Sequence, residues 1–206
     1  MSKSKHLTLP LFLQRYAVVA RLPVQWGEQD SFSHVNNTVY FKYMEAARIQ
    51  YFARMLDSVV SMQPETGPAF KQGWLAATAV GPILTHTECS FKFPLTYPDR
   101  LLVGATVDIK KYIANTDDTG SSSSSTQMTL KHEVWSLRHN RVVASGTGSF
   151  VTLDYGAGKV TAIPEFVVQA VKELELGGAD STELLGVLER DREAALRVGS
   201  QGEGFV

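Results

Sequence analysis

Apolar residues recur at two spacings along this chain, and the switches between them mark its organisation. From Tyr16 to Trp26 the run is rich in Val and aromatic residues and predicts a strand. Gly27 to Asn37 is polar and broken by Gly, Ser and Asn, the composition of a loop. From Thr38 to Leu56 the spacing becomes helical, with Tyr40, Tyr43, Met44, Ala47, Tyr51 and Met55 on one broad face and Asn37 expected as the N-cap. The other side carries Lys42, Glu45 and Arg54 but also Phe41, Ile49 and Phe52. A helix this apolar all round is expected to be wrapped by the rest of the fold.

Ser58 to Gly73, with two prolines and two glycines, reads as a loop or a short broken helix. Beyond it the period shifts toward two. Strands are expected at Leu75–Val80 and Ile83–Phe93, separated by a bend or bulge at Gly81-Pro82, and at Leu101–Ile113. Gln127–Arg138 and Arg141–Leu153 form a further pair turning at His139-Asn140, and Asn115–Thr126, with five consecutive serines, is a flexible connector. Sequential strands with short turns favour an antiparallel sheet, so the expected class is α+β with one long helix on the sheet. Helices are expected at Ile163–Leu176 and Ser181–Val198. Between Glu165 and Gln201 eight acids face four bases, so this stretch is read as an appendage, solvated or packed on the outside. The resulting plan is a flexible N-terminal tail (1–15), one domain (16–156) and a C-terminal helical extension (157–206).

Composition narrows the function classes. A net charge of −1 over 206 residues argues against broad nucleic-acid binding, which needs clustered Lys and Arg to replace counterions. No apolar run approaches the roughly 20 residues needed to span a bilayer. The single cysteine, Cys89, excludes an intramolecular disulfide and suits a reducing compartment such as the cytoplasm. Met1 to Ala20 holds Lys3, Lys5 and Arg15 with no acid, which also matches a weak mitochondrial transit signal; an untidy basic tail is the preferred account.

The stretch that can carry chemistry is Gln25-Trp26-Gly27-Glu28-Gln29-Asp30-Ser31-Phe32-Ser33-His34-Val35-Asn36-Asn37-Thr38-Val39-Tyr40. It gathers two acids, a histidine and two asparagines where a strand runs into the N-terminus of the apolar helix. A helix N-terminus offers unpaired N–H groups and about half a positive charge, a setting that holds a carbonyl and stabilises its developing oxyanion. A carboxylate beside it can attack directly or deprotonate water. The same residues also serve as turn and cap residues, with His34 as a loop histidine, and on composition alone that plainer account is the stronger one. His86, His132 and His139 stand singly without metal-ligand spacing. Cys89 lacks an identifiable base, and Ser145-Gly146-Thr147-Gly148 lacks the setting of a phosphate loop and reads as a strand segment.

Trp-Gly-Glu-Gln-Asp-x-x-x-His-Val-Asn-Asn-x-x-Tyr followed by Phe-Lys-Tyr-Met-Glu-Ala-Ala-Arg resembles the signature of the 4-hydroxybenzoyl-CoA thioesterase-like hot-dog proteins. The likeness is strong over Leu22–Phe52, looser through Ser90–Pro94 and Pro98–Leu101, and covers roughly Ala17 to Tyr155. It implies a five- or six-stranded antiparallel sheet wrapped around the long helix, and dimers or dimers of dimers joined edge to edge with sites at the interface. It further implies an acyl-CoA substrate with no cofactor. Asp30 falls on the family's catalytic aspartate, and His34, Asn37 and Tyr40 fall on positions lining the same pocket. Lys92 and Arg100, with Lys110 and Lys111, are candidates for meeting the CoA phosphates.

Two departures stand out. Asn37 occupies a place where some relatives have a second catalytic His, and Ser33 stands where the motif usually has Gly. Together with the acidic extension they keep a second expectation open, a non-catalytic hot-dog subunit that binds acyl-CoA or a protein partner. A hydratase would place its His and acid in a different motif, which is not found.

Overall fold

The computed structural model describes residues 7–107, 125–177 and 186. Among them six strands build one antiparallel sheet: β1 (Val18–Pro23), β2 (Val80–Phe91), β3 (Arg100–Val107), β4 (Gln127–Ser136), β5 (Arg141–Asp154) and the short β6 (Lys159–Val160). Their order is β1-β3-β4-β5-β2, with β6 also on β5. The helices are α1 (Leu9–Leu13), α2 (Asn37–Met62), α3 (Gly67–Ala76) and α4 (Glu165–Gly177). None is long and apolar enough to cross a membrane.

The helix spacing seen in the sequence becomes the core. Tyr40, Tyr43, Met44, Ala47, Tyr51 and Met55 are all buried, as are Phe52, Leu56 and Val59. They pack on Leu101, Val103 and Ala105 of β3, Leu130 and Val134 of β4, and Ala144 and Phe150 of β5. Each large side chain buried there contributes roughly 1.5–3 kcal/mol. The expected α+β architecture, a sheet curled around one long helix, is the one observed. The β4–β5 hairpin turns at Asn140, which adopts a left-handed φ of 49°.

Several boundaries differ from expectation. The stretch Ser58–Gly73 is helical at both ends: α2 runs on to Met62, and α3 starts at Gly67 with Pro68 in its first turn, where a missing N–H costs nothing. Leu75 belongs to α3, which Ala77 ends in a left-handed conformation (φ 54°). Gly81-Pro82 does not break the next strand, and β2 is continuous from Val80. Pro82 is tolerated because β2 is an edge strand, where a lost donor removes no rung on the open side. β3 is described to Val107; the expected remainder of that strand, the serine-rich connector up to residue 124, and the helix at Ser181–Val198 lie outside the described residues.

The first and last described stretches, residues 7–16 and 165–177, pack more closely than their composition suggests. Phe12 and Leu13 of α1 are fully buried with Tyr16, Val19, Leu102, Trp135 and Leu137 in a second cluster on the outer face of the sheet. Residues 7–15 thus form a strap seated on the sheet through Phe12 and Leu13. The ring of Tyr16 lies so close over Gly104 that a Cβ there would come within 2.3 Å of it, so glycine is required at that point of β3. At the other end, Val167, Ala170 and Val171 of α4 are fully buried in the main core against α2. Glu175 is no solvated acid: its carboxylate accepts from Tyr51 OH (2.7 Å), Thr106 Oγ1 (2.5 Å) and Val107 N–H (2.7 Å). It thereby satisfies a strand N–H beyond the last β1–β3 rung, Val18 with Ala105.

His132 on β4 points into the core, 3% exposed, with Nδ1 3.3 Å from the Gly104 carbonyl. Burial pushes its pKa from the usual 6.5 down to about 4, so the folded imidazole is neutral. Between those values the unfolded chain binds the extra proton and the folded one does not, so this group removes stability as pH falls from 6.5 toward 4. Wild type is expected to lose about 2–3 kcal/mol more than His132→Gln between neutral pH and about pH 4.5, read from urea denaturation midpoints. Parallel pH profiles for the two proteins would show that His132 does not titrate this way.

Candidate active site

The site is built around the short 3₁₀ turn Trp26–Glu28 that follows β1. Glu28 folds back so that Oε2 accepts from Gln25 N–H (2.7 Å) and from Tyr43 OH (2.5 Å) on α2. Tyr43 is buried, and burial together with the Glu28 carboxylate raises its pKa well above the ordinary range, so it is a fixed hydroxyl donor. Glu28 is the tie between the loop and the central helix.

From Gln29 to Val35 the chain makes a tight reversal, closed by a bridge between those two residues. Asp30 N–H donates to His34 O (2.9 Å) and Ser33 N–H to Asp30 O (3.0 Å). The Asp30 carboxylate accepts from Phe32 N–H through Oδ1 (2.9 Å), a local turn that fixes the side chain. Ser33 holds φ at 61°, the left-handed region that glycine occupies without penalty. The glycine usual at this motif position thus answers to backbone conformation, and this chain keeps the conformation at a cost.

The exit of the loop is pinned twice, by Val35 N–H to Leu95 O (2.8 Å) and Asn36 N–H to Glu28 O (2.8 Å). Those bonds hold Asn36 extended (φ −56°, ψ 138°), and its Oδ1 caps Thr38 N–H at 2.9 Å. The N-cap is therefore Asn36, not Asn37 as the sequence suggested. Two adjacent asparagines are equivalent as caps by type; the tertiary tether decides between them. Asn37 becomes the first helical residue, and among the described residues no acceptor takes its N–H. Four residues after Leu95, Asp99 is buried and accepts from Ser136 Oγ, Arg100 N–H and Arg138 N–H.

Asp30, His34, Asn36, Asn37 and Tyr40 share an open cleft of ≈ 710 Å³ with Phe32, Val35 and the Phe91-Lys92-Phe93-Pro94 segment after β2. Tyr40 is buried, which pushes its pKa up to about 12, and its ring meets Phe91 edge-on at 5.1 Å. Phe93 is held between His139 (4.8 Å) and the Arg141 guanidinium (4.7 Å). Of the residues singled out from sequence, Asp30, His34, Asn37, Tyr40 and Lys92 are brought together. Arg100 is not: it lines a separate groove with Arg21, Leu22 and Pro23. The aromatic wall of Phe91 and Phe93 was not singled out from the sequence; its only signal was an apolar-polar alternation shared with any strand end. Among the described residues no three His, Cys, Asp or Glu side chains are placed to hold a metal. A carboxylate beside a helix N-terminus, in a cleft with an apolar wall, suits attack on an activated carbonyl or on water next to one.

A sheet curled around a helix, with this loop at its N-terminus, defines a class, and comparison with known proteins agrees. The model of the thioesterase-like superfamily matches residues 24–171, and the chain belongs to that family. Among solved structures, a thioesterase from Thermus thermophilus complexed with coenzyme A and Zn is 23% identical with a TM-score of 0.55, covering 79% of this chain and 96% of its own. A 1,4-dihydroxy-2-naphthoyl-CoA thioesterase from Synechocystis is 16% identical with a TM-score of 0.53, covering 77% and 97%. A DHNA-CoA thioesterase from Staphylococcus aureus is 14% identical with a TM-score of 0.53, covering 77% and 91%. At these identities the structures establish the hot-dog fold. No curated protein matches the chain.

Ser33→Gly is expected to stabilise the protein by roughly 0.5–1 kcal/mol, the left-handed penalty less the extra chain entropy of glycine. Chemical denaturation of the two proteins checks this; an unchanged or lowered midpoint would show that the loop carries no such strain.

Proposed function

We propose that this chain hydrolyses acyl-CoA thioesters, with Asp30 as the acting carboxylate. The observation that carries the proposal is the meeting of Asp30 with the first turn of α2 in one open cleft, in a member of a thioesterase-like family. The CoA thioesterases among its structural relatives favour a CoA ester as substrate. The thioester carbonyl lies at the Asn37 N–H, where the helix terminus stabilises the oxyanion. Asp30 either attacks the carbonyl carbon, expelling the CoA thiolate to leave a mixed anhydride that water opens, or takes a proton from water as it attacks and passes that proton to the thiolate. Both routes yield the free acid and CoA.

Asn37 is an amide and does not relay a proton; it orients water or substrate, with His34 and Tyr40 on the same wall. The acyl group lies along Phe32, Phe91 and Phe93. The open edge of β2 exposes Ile83, Leu84 and Phe91, the last of them in the lining of this cleft, which favours a homodimer that joins sheets there and completes the site.

Asp30→Asn keeps the shape of the turn and removes the base, so turnover is expected to drop by something like 100- to 10,000-fold. The measurement is thiol release over short, long and aromatic acyl-CoAs with wild type and variant side by side. Normal turnover by the variant would sink the role of Asp30. Silence of the wild type over the whole panel, with measurable CoA binding, would favour a non-catalytic binding subunit instead.

A further inference from the structure

A second cleft, of ≈ 310 Å³, opens on the outer face of the sheet, turned away from α2. Its floor is polar: Thr106, Lys131 and Thr147 are in register on β3, β4 and β5, and Glu133, Ser145 and Ser90 on β4, β5 and β2. Its wall is Arg15 and Tyr16, at the end of the packed strap and before the first residue matched by the family model. Glu133 organises this wall. Oε2 accepts from Tyr16 OH at 2.5 Å and lies 3.5 Å from the Arg15 guanidinium, while Oε1 lies 3.5 Å from Lys92 Nζ. One carboxylate thus holds two cations and cancels only one. The Arg15 and Lys92 side chains remain 55% and 44% exposed, so both keep donors for a ligand. Lys131 and Glu88, at the same cleft, offset each other in charge.

The two clefts are neighbours along one strand. Glu88 and Ser90 border the outer cleft, and Phe91, Lys92 and Phe93 border the Asp30 cleft. A CoA ester separates its thioester from its phosphates by the long pantetheine arm. The Asp30 cleft, with Phe32, Tyr40, Phe91 and Phe93 in its lining and Lys92 as its one Lys or Arg, suits the thioester end alone. Phosphates are held by Arg and Lys with hydroxyl donors; the outer cleft supplies Arg15 with the Ser90 and Ser145 hydroxyls, while those of Tyr16, Thr106 and Thr147 are given to Glu133, Glu175 and Glu88. We infer that the outer cleft is the phosphate subsite for a CoA-type thioester, with Arg15 as its charged ligand, Lys92 reaching it from the border with the Asp30 cleft, and Glu133 as the group that positions both. This rests on the thioesterase function proposed above, and it gives the N-terminal strap a part in substrate binding.

The test compares wild type with Arg15→Ala and Arg15→Lys, using acyl-CoA, the matching acyl-pantetheine without phosphates, and adenosine 3′,5′-bisphosphate as a binding probe in calorimetry. Arg15→Ala is expected to weaken bisphosphate binding and raise KM for acyl-CoA about tenfold, the usual weight of one charged hydrogen bond, with kcat unchanged. Its kinetics with acyl-pantetheine should match wild type, and Arg15→Lys should recover part of the loss. Equal damage to both thioesters would mean that Arg15 only secures the strap, and would overturn the assignment. So would bisphosphate binding that is absent in wild type or indifferent to Arg15. If wild type cleaves neither thioester, the function proposed for Asp30 fails, while the calorimetry still decides whether the cleft takes phosphates.

Discussion

Tyr43, Met44, Ala47, Tyr51 and Met55 line one side of α2, Phe52 and Val59 extend it, and none of this surface can be left in water. The rest of the molecule follows from covering it. Strands β1, β3, β4 and β5 supply the inner face, with β1 and β2 at the two edges of the sheet. Removing any one of these large side chains would cost the few kcal/mol typical of a core truncation, a large share of the marginal stability of a domain. The helix is therefore a rigid post, and its N-terminus a fixed point in space. Chemistry placed at that terminus inherits the rigidity of the core.

Glu28 carries that rigidity into the loop. By accepting from Tyr43 OH it fastens a surface turn to a buried helix residue, and the bonds of Val35 and Asn36 close the other end. Asp30 is left between two anchors, its own carboxylate engaged by Phe32 N–H. Such a loop tolerates the left-handed Ser33, because its ends, and not its intrinsic preferences, set its shape. Relief of backbone strain at one residue is about 1 kcal/mol, less than the sum of the anchoring bonds.

The sheet has two working faces. The inner one is covered by α2 and by Val167, Ala170 and Val171 of α4. The outer one is divided between the apolar patch under α1 and the polar floor beside it, with Tyr16 at the boundary. Gly104 is what lets that boundary sit so close to the strands. The strap is thus fitted to this particular sheet, though it lies before the part of the chain matched by the family model.

The sequence by itself determined the α+β class, the long buried helix and the β4–β5 hairpin, and it singled out Gln25 to Tyr40 as the candidate site. Those features rest on local signals, helical or alternating spacing and side chains near in sequence, and local signals survive without a fold. It did not determine which of Asn36 and Asn37 caps α2, since both have the same side chain and the choice came from bonds to Leu95 and Glu28. Nor could it show that Gly81-Pro82 is harmless, because only the position of β2 at an edge makes it so. Arg100 and Lys92 looked alike as charged strand ends; register and curvature put one in a separate groove and the other between two clefts. Phe12, Val167 and Glu175 sat in stretches whose average composition suggested a tail and an appendage. Burial, though, is decided residue by residue, by which face meets the core, and that was settled only when the sheet closed around its helix.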